Sequence, residues 1–195
     1  MRYILNKEEP AGVSIDEIIT DVSKKIKISQ KILGSTEAKL ERLAKGVAER
    51  TFFSLSPEQQ RELFAKAGIG KEQQDEFFKK LKNNKALFFP LVLSILGPKI
   101  LEELIVGLVV AVIAKFSSKK VAQELLKQFV SKFPWWAEWL GPIVWALNLG
   151  WLAYDLQGPA FRKTIPSLLY LGLVCIRDGF EENEELWAEA VEGMA

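Results

Sequence analysis

Histidine is absent from this sequence, and cysteine occurs only once. Without histidine, the chain lacks the usual general base near neutral pH, the common catalytic triads and Cys/His zinc sites. Cys175 lies within the apolar run SLLYLGLVCI, which favours a buried thiol over a reactive one. A single cysteine cannot form an internal disulfide, which fits a reducing cytoplasm.

The sequence also lacks the short motifs that accompany common enzyme chemistry. It contains no Walker loop, no G-x-G-x-x-G after a strand, no H-E-x-x-H and no G-x-S-x-G. Two carboxylate pairs are present, Glu102 with Glu103 and Glu181 with Glu182. Neighbouring side chains on a helix point about 100° apart and do not converge on one site. We therefore expect neither an enzyme nor a cofactor or metal site.

A long uninterrupted hydrophobic stretch is missing, but residues 86–114 come close to one. Two apolar arms, 86–96 and 104–114, flank a Gly97-Pro98-Lys99 break. The first arm reaches only about 20 Å as a helix, against a bilayer core of roughly 30 Å. Extending the second arm backwards includes two glutamates, each costing roughly 2.5–3.5 kcal/mol at the bilayer centre. The pattern predicts a buried helical hairpin, too apolar for a surface helix and too interrupted for a permanent membrane span.

The formal net charge of +1 gives no reason to expect nucleic acid as a partner. The charge is unevenly distributed, because residues 1–85 carry 17 Lys and Arg against 13 Asp and Glu, whereas residues 178–195 carry seven acids and no base. The N-terminal residues do not resemble a signal peptide, because acids follow a very short apolar core. The expected location is cytoplasmic, peripheral to or inserted in the inner membrane.

Four amphipathic helices are predicted before the hairpin. The first covers 14–28 and begins with a Ser14–Glu17 capping box, and the second runs from Ser35 or Thr36 to about Ser54. The third begins at Ser56-Pro57, and the fourth covers 71–83. Charged outer faces and apolar inner faces suit these helices to covering an apolar element.

The second half of the chain combines apolar and tryptophan-rich segments. An amphipathic helix is predicted over 118–132, and the following stretch, 133–158, holds five of the six tryptophans. Trp135, Trp136 and Trp139 crowd one end of it, as in an interfacial aromatic belt. A tryptophan-rich core or a partner surface also explains them, and core packing is slightly favoured. A buried helix over 164–176 is predicted to be capped by Thr164, with Pro166 in its first turn.

These elements predict an all-α protein with a single domain covering 1–195. We expect a bundle of about 8–9 helices around the central hairpin. Residues 1–85 would form the covering helices, 86–177 the hairpin and core helices, and 178–195 an acidic C-terminal segment. No reliable strand pattern or internal repeat is present.

Two segments resemble the YaaW-like family, bacterial proteins of unassigned function. They are IDEIITDVSKKIKI at 15–28 and GPAFRKTIPSLLYLGLVCIRD at 158–178. The second contains the family's closing motif, in which Phe161 replaces the family's tyrosine. The motif positions in this sequence are Phe161, Arg162, Thr164, Ile165, Pro166, Ile176 and Arg177. The resemblance implies a bacterial, all-helical protein and implies no activity, cofactor or catalytic residue.

Two functions are compatible with these features. In the first, the protein associates conditionally with a lipid membrane, which it can perturb or permeabilise by exposing its hairpin. This resembles colicin-type and Bcl-2-type proteins by analogy of fold. Glu102 and Glu103 are its switch candidates. The residues expected to insert are Leu104, Val106, Val109, Val110, Ile113, Trp135, Trp136 and Trp139.

In the second, the protein is a soluble interaction or regulatory module without membrane activity. The hairpin is then only the core of the bundle, and the tryptophans form a surface for an unidentified protein or a second copy of the chain.

Overall fold

The computed structural model describes residues 12–28, 34–116, 123–124, 127, 131 and 163–177, and contains no strand within these ranges. This confirms the predicted all-α class. The elements in chain order are α1 (Ile15–Lys25), α2 (Thr36–Ser54), α3 (Pro57–Lys66), α4 (Lys71–Asn83), a 3₁₀ turn (Lys85–Leu87), α5 (Phe88–Leu91), a π-helical segment (Val92–Leu96) and α6 (Pro98–Phe116). Residues 163–177 form a further helix, α7.

The starts of α1, α2 and α3 agree with the predicted serine caps. The Ser14 hydroxyl accepts a hydrogen bond from the backbone N–H of Glu17, and Ser35 accepts one from Ala38, both at 3.2 Å. At α3 the capping box is complete, because the Gln59 side chain also accepts from the backbone N–H of Ser56 at 2.9 Å. These bonds satisfy N–H groups that have no partner inside the helix.

Polar contacts fix α1 against α2 at both ends of α1. At its start, the Asp16 carboxylate accepts hydrogen bonds from the Thr36 hydroxyl at 2.9 Å and from the Lys39 ammonium at 2.8 Å. At its end, the Arg50 guanidinium donates to the backbone carbonyl of Ile26. Between them, Ile19, Val22 and Ile26 are buried in the common core.

A cluster of phenylalanines joins the first four helices to α5. Phe52 of α2 lies with its ring centroid 5.6 Å from Phe64 of α3 and 4.6 Å from Phe88 of α5. Phe77 of α4 contacts Phe64 edge-on at 5.0 Å. All four rings are fully buried. Replacing any one of them by alanine should therefore lower the free energy of unfolding by roughly 3–5 kcal/mol.

The predicted first arm, 86–96, is irregular and half-exposed, unlike a continuous buried helix. Pro90 lies in α5 and has no N–H to donate, and the backbone continues as a π-helical segment instead of an α-helix. The segment ends at Gly97, whose φ of 87° is a conformation that favours glycine. Pro98 then begins α6, where its missing N–H is not needed.

Helix α7 packs closely on α2 through a glycine. A Cβ atom at Gly172 would lie 2.6 Å from the backbone oxygen of Leu40 and 3.0 Å from the Cβ of Ala44. Ile165, Leu168, Leu169 and Ile176 place the rest of the inner face in the core. The prediction that Thr164 caps this helix is wrong, because residue 163 is already helical and Thr164 lies inside it.

Candidate functional site

The candidate site of membrane association is α6 together with the turn before it. Leu108, Val109, Val110, Ala111, Val112, Ile113 and Ala114 are seven consecutive residues, and all of them are buried. Seven residues cover almost two helical turns, so side chains on every face of the helix are enclosed. This part of α6, residues 108–114, is therefore surrounded by protein around its whole circumference.

The structure places five of the predicted insertion residues on this helix. Leu104, Val109, Val110 and Ile113 are buried, and Val106 is partly buried against the same core. The packing partners include α2, which runs along α6, and the π-helical segment. The other insertion candidates, Trp135, Trp136 and Trp139, lie outside the described residues, so the structure does not bring them to this site.

The two switch candidates lie in the first turns of α6 but at different depths. Glu103 is only 5% exposed, whereas Glu102 is partly exposed. This difference follows from the rotation of about 100° between neighbours on a helix. Pro98 and Lys99, at the start of α6, are exposed. The turn thus combines an accessible edge with one carboxylate held in the interior.

Within the described ranges, no helix combines the length and apolarity needed to cross a membrane. Helix α6 has 19 residues, which corresponds to about 28 Å, but its first turns carry Lys99, Glu102 and Glu103.

The residues of the closing motif are only partly placed. In α7, Thr164 and Pro166 are partly buried, whereas Lys163 and Arg177 are exposed at its two ends. Phe161 and Arg162 lie outside the described residues. The described motif residues are on α7, whereas the insertion and switch candidates that the structure describes are on α6, so the two sets do not share one helix.

A second site, which the sequence analysis did not predict, is a cavity of about 560 Å³ beside α2. It is lined by Lys27, Ile28, Arg42, Lys45, Gly46, Glu49, Arg50, Phe53 and Phe89. The six α2 residues recur at spacings of three and four, which places them on one helix face and is a signal that the sequence did contain. The contributions from the end of α1 and from α5 depend on tertiary packing and had no such signal.

The carboxyl group in this cavity is perturbed by its surroundings. Partial burial raises the pKa of Glu49 above its usual range, because the ionised form loses part of its hydration. No hydrogen bond or ion pair to Glu49 occurs in the described part of the chain. Ionisation of the Glu49 carboxyl group is therefore less favourable in this cavity than in water.

Within the described ranges, no group of three or more His, Cys, Asp or Glu residues is placed so that it could hold a metal ion. In the comparisons, no protein-family model, no curated protein and no solved structure matches the chain.

Proposed function

We propose that this protein is a conditionally membrane-associating helical protein, whose shielded hairpin of 86–114 perturbs or permeabilises a bilayer when exposed. The observation that supports the proposal most is the uninterrupted burial of seven residues in α6. A helix that is apolar on all faces is suited to a protein core or to lipid, and to little else. The helices that cover it are amphipathic, so their apolar faces can shield α6 only while they stay packed on it.

The apolar side chains of α6 lose little free energy when lipid replaces protein around them, because both surroundings are apolar. The opposing cost comes from Glu102 and Glu103 at the turn. Ionised carboxylates at the bilayer centre cost roughly 2.5–3.5 kcal/mol each, and less near the headgroups. Neutralising both would remove roughly 5–7 kcal/mol if they enter the hydrocarbon region. These two residues are therefore the proposed switch.

The test compares the wild type with a Glu102→Gln/Glu103→Gln variant near neutral pH. Flotation with vesicles of phosphatidylglycerol and phosphatidylcholine measures association, and release of an enclosed dye measures permeabilisation. We expect both to increase in the variant, and the wild type to bind better at about pH 4–5 than near pH 7.5. Circular dichroism on the same samples checks that the helices remain folded, because acid also loosens helical bundles.

A matched control is the Glu58→Gln/Glu72→Gln variant, which removes the same charge from the first turns of α3 and α4. Both glutamates are exposed, so this variant changes net charge without touching α6. We expect no increase in vesicle association. An equal increase in both variants would assign the effect to net charge, and would contradict the switch.

The alternative is a soluble interaction or regulatory module, and one observation favours it. Helix α7 exposes two large apolar side chains that are neighbours in the sequence, Tyr170 at 55% and Leu171 at 40%. Neighbouring exposed apolar residues suit a protein partner or a second copy of the chain. If neither the wild type nor the double variant associates with vesicles while folded, the hairpin is only a core and this function replaces the first.

The remaining expectations belong to the same proposal. They are one domain of about 8–9 helices, with 86–114 as its central hairpin. They also include membership of the YaaW-like family, on the strength of the two quoted segments, and a cytoplasmic location at the inner membrane.

A further inference from the structure

The cavity beside α2 lies where three elements meet. Its lining comes from the residues after α1, from the middle of α2 and from Phe89 of α5. Gly46 allows this arrangement, because a Cβ at that position would lie 2.6 Å from Cγ2 of Ile28. The close approach brings the end of α1 onto α2 and places its basic side chain beside those of α2.

Basic residues dominate the charge of the lining. Among the described lining residues, four contribute cations, Lys27, Arg42, Lys45 and Arg50, and one contributes a carboxylate, Glu49. Lys45 also forms an ion pair with Glu41 at 3.1 Å, and Arg50 donates to the carbonyl of Ile26. A guanidinium has five N–H donors and an ammonium has three, so these contacts are compatible with a further contact to an anion.

The other part of the lining is apolar. Ile28, Phe53 and Phe89 are each partly buried, and each packs against the core while contributing to the cavity surface. A small inorganic anion would use only the basic residues and leave this wall in contact with water. An occupant with both a charged head and an apolar tail would use both.

Lys27 adds a second, independent observation. Its φ of 54° lies in the left-handed region, where most residues other than glycine are strained. The backbone N–H of Lys27 donates to the carbonyl of Lys24 at 3.1 Å, and that of Ile28 donates to Ser23 at 2.8 Å. This is the Schellman arrangement, in which glycine is the usual residue. A strained lysine in place of glycine, lining a cavity, is a pattern that accompanies function.

We propose that the cavity binds an anionic amphiphile, with a phosphate monoester held by Lys27, Arg42 and Lys45 and an acyl chain against Phe53 and Phe89. Arginine and lysine are the usual partners of phosphate, and the aromatic wall buries an apolar tail. The site forms in the folded protein and does not require α6 to leave the core. It therefore goes beyond the proposed membrane insertion and does not depend on it.

Isothermal titration calorimetry of the full chain tests the site with soluble probes. The probes are dihexanoyl phosphatidic acid below its micelle concentration, inorganic phosphate, and dihexanoyl phosphatidylcholine. We expect the phosphatidic acid to bind at least roughly tenfold more tightly than either of the others, because only it uses both parts of the lining. Equal binding of inorganic phosphate would exclude the amphiphile, and no binding of any probe would exclude the site.

Two substitutions separate a binding role from a structural one. Lys27→Gly should weaken phosphatidic acid binding roughly tenfold while raising the melting temperature by a few degrees, since glycine relieves the left-handed strain. Glu49→Gln should tighten binding several-fold, because it removes a carboxylate that repels the phosphate, and the other charged lining residues in the described part of the chain are basic. Unchanged affinity in both variants would overturn the proposal, even if stability changes as expected.

The matched control is Lys79→Gln/Lys82→Gln, which removes exposed cations from α4, a helix that does not line the cavity. Its affinity should equal that of the wild type, and an equal loss would indicate attraction by net charge only. Glu102→Gln/Glu103→Gln should also leave the affinity for soluble phosphatidic acid unchanged. The vesicle experiment and this one can therefore fail separately.

Discussion

Asp16 shows how one residue can fix the relative position of two helices. Its carboxylate is at the start of α1, where the helix dipole favours a negative charge, and it reaches Thr36 and Lys39 of α2. The hydrogen bond from Lys39, followed by that from Thr36, holds the pKa of this carboxyl below its usual range. Ionisation of Asp16 is therefore more favourable in the folded state than in the unfolded chain, and it stabilises the fold.

The stabilisation by Asp16 is present above the pKa of the unfolded chain and is lost as pH falls through the lower pKa of the folded state. Asp16→Asn should therefore lower the urea midpoint near neutral pH, and the difference from the wild type should shrink in strong acid. Asp75→Asn is the control, because it breaks only an exposed ion pair with Arg61 and should change the midpoint little. A pH-independent difference for Asp16→Asn would contradict the assignment.

At the scale of elements, the contact between α7 and α2 depends on the absence of a side chain at Gly172. Alanine is favoured over glycine inside a helix by about 1 kcal/mol. At Gly172 the added Cβ would meet the backbone oxygen of Leu40, which cannot move away by changing rotamer. The helices would have to separate, and the loss of packing should exceed the gain in propensity.

Gly172→Ala should therefore destabilise the protein by about 1–3 kcal/mol. Ser167→Ala, at an exposed position of the same helix, is the control and should change stability by less than about 0.5 kcal/mol. Denaturant unfolding followed by circular dichroism measures both. A Gly172→Ala variant as stable as the wild type would show that α7 packs less closely on α2.

The starts of the first three helices could be predicted from the sequence because their determinants are local. Ser14, Ser35 and Ser56 each bond to a backbone N–H three residues later, and no distant residue takes part. The π-helical segment after Pro90 had no comparable signal, since apolar composition does not distinguish it from an α-helix. The contact at Gly172 requires knowledge of which helices meet.

The sequence likewise predicted only part of the candidate sites. The apolar character of 104–114 predicted a buried second arm, and the burial of 108–114 on all faces agrees with that prediction. The different depths of Glu102 and Glu103 depend on how neighbouring helices surround the turn. The cavity beside α2 combines a helical spacing visible in the sequence with Lys27 and Phe89, which only the folded chain brings close.

At the scale of the whole molecule, the concealment of α6 is coupled to the phenylalanine cluster. Phe88 is the first residue of α5, in the first arm of the proposed hairpin, and its ring contacts Phe52 at 4.6 Å, Phe53 at 5.5 Å and Phe77 at 6.2 Å. These partners belong to the covering helices α2 and α4. Phe88 therefore anchors the hairpin to its cover, and release of the hairpin requires this ring to leave the cluster.

Loss of the Phe88 anchor should connect lower stability with stronger membrane association. Phe88→Ala should destabilise the protein by roughly 3–5 kcal/mol and should increase dye release from vesicles under conditions in which the helices remain formed. Phe64→Ala is the matched control, since this fully buried ring lies in α3 and packs on Phe52, Phe77 and Phe78. Phe64→Ala should lower the stability by a similar amount, but it should not directly loosen the first arm of the hairpin.

The two variants should be compared at denaturant concentrations that give equal fractions folded, measured by circular dichroism. If release of the hairpin is a specific event, Phe88→Ala permeabilises vesicles more than Phe64→Ala at equal stability. Equal leakage would indicate that only global unfolding exposes α6. No leakage from either would mean that α6 stays enclosed whenever the bundle is folded, and would favour the interaction module over the membrane protein.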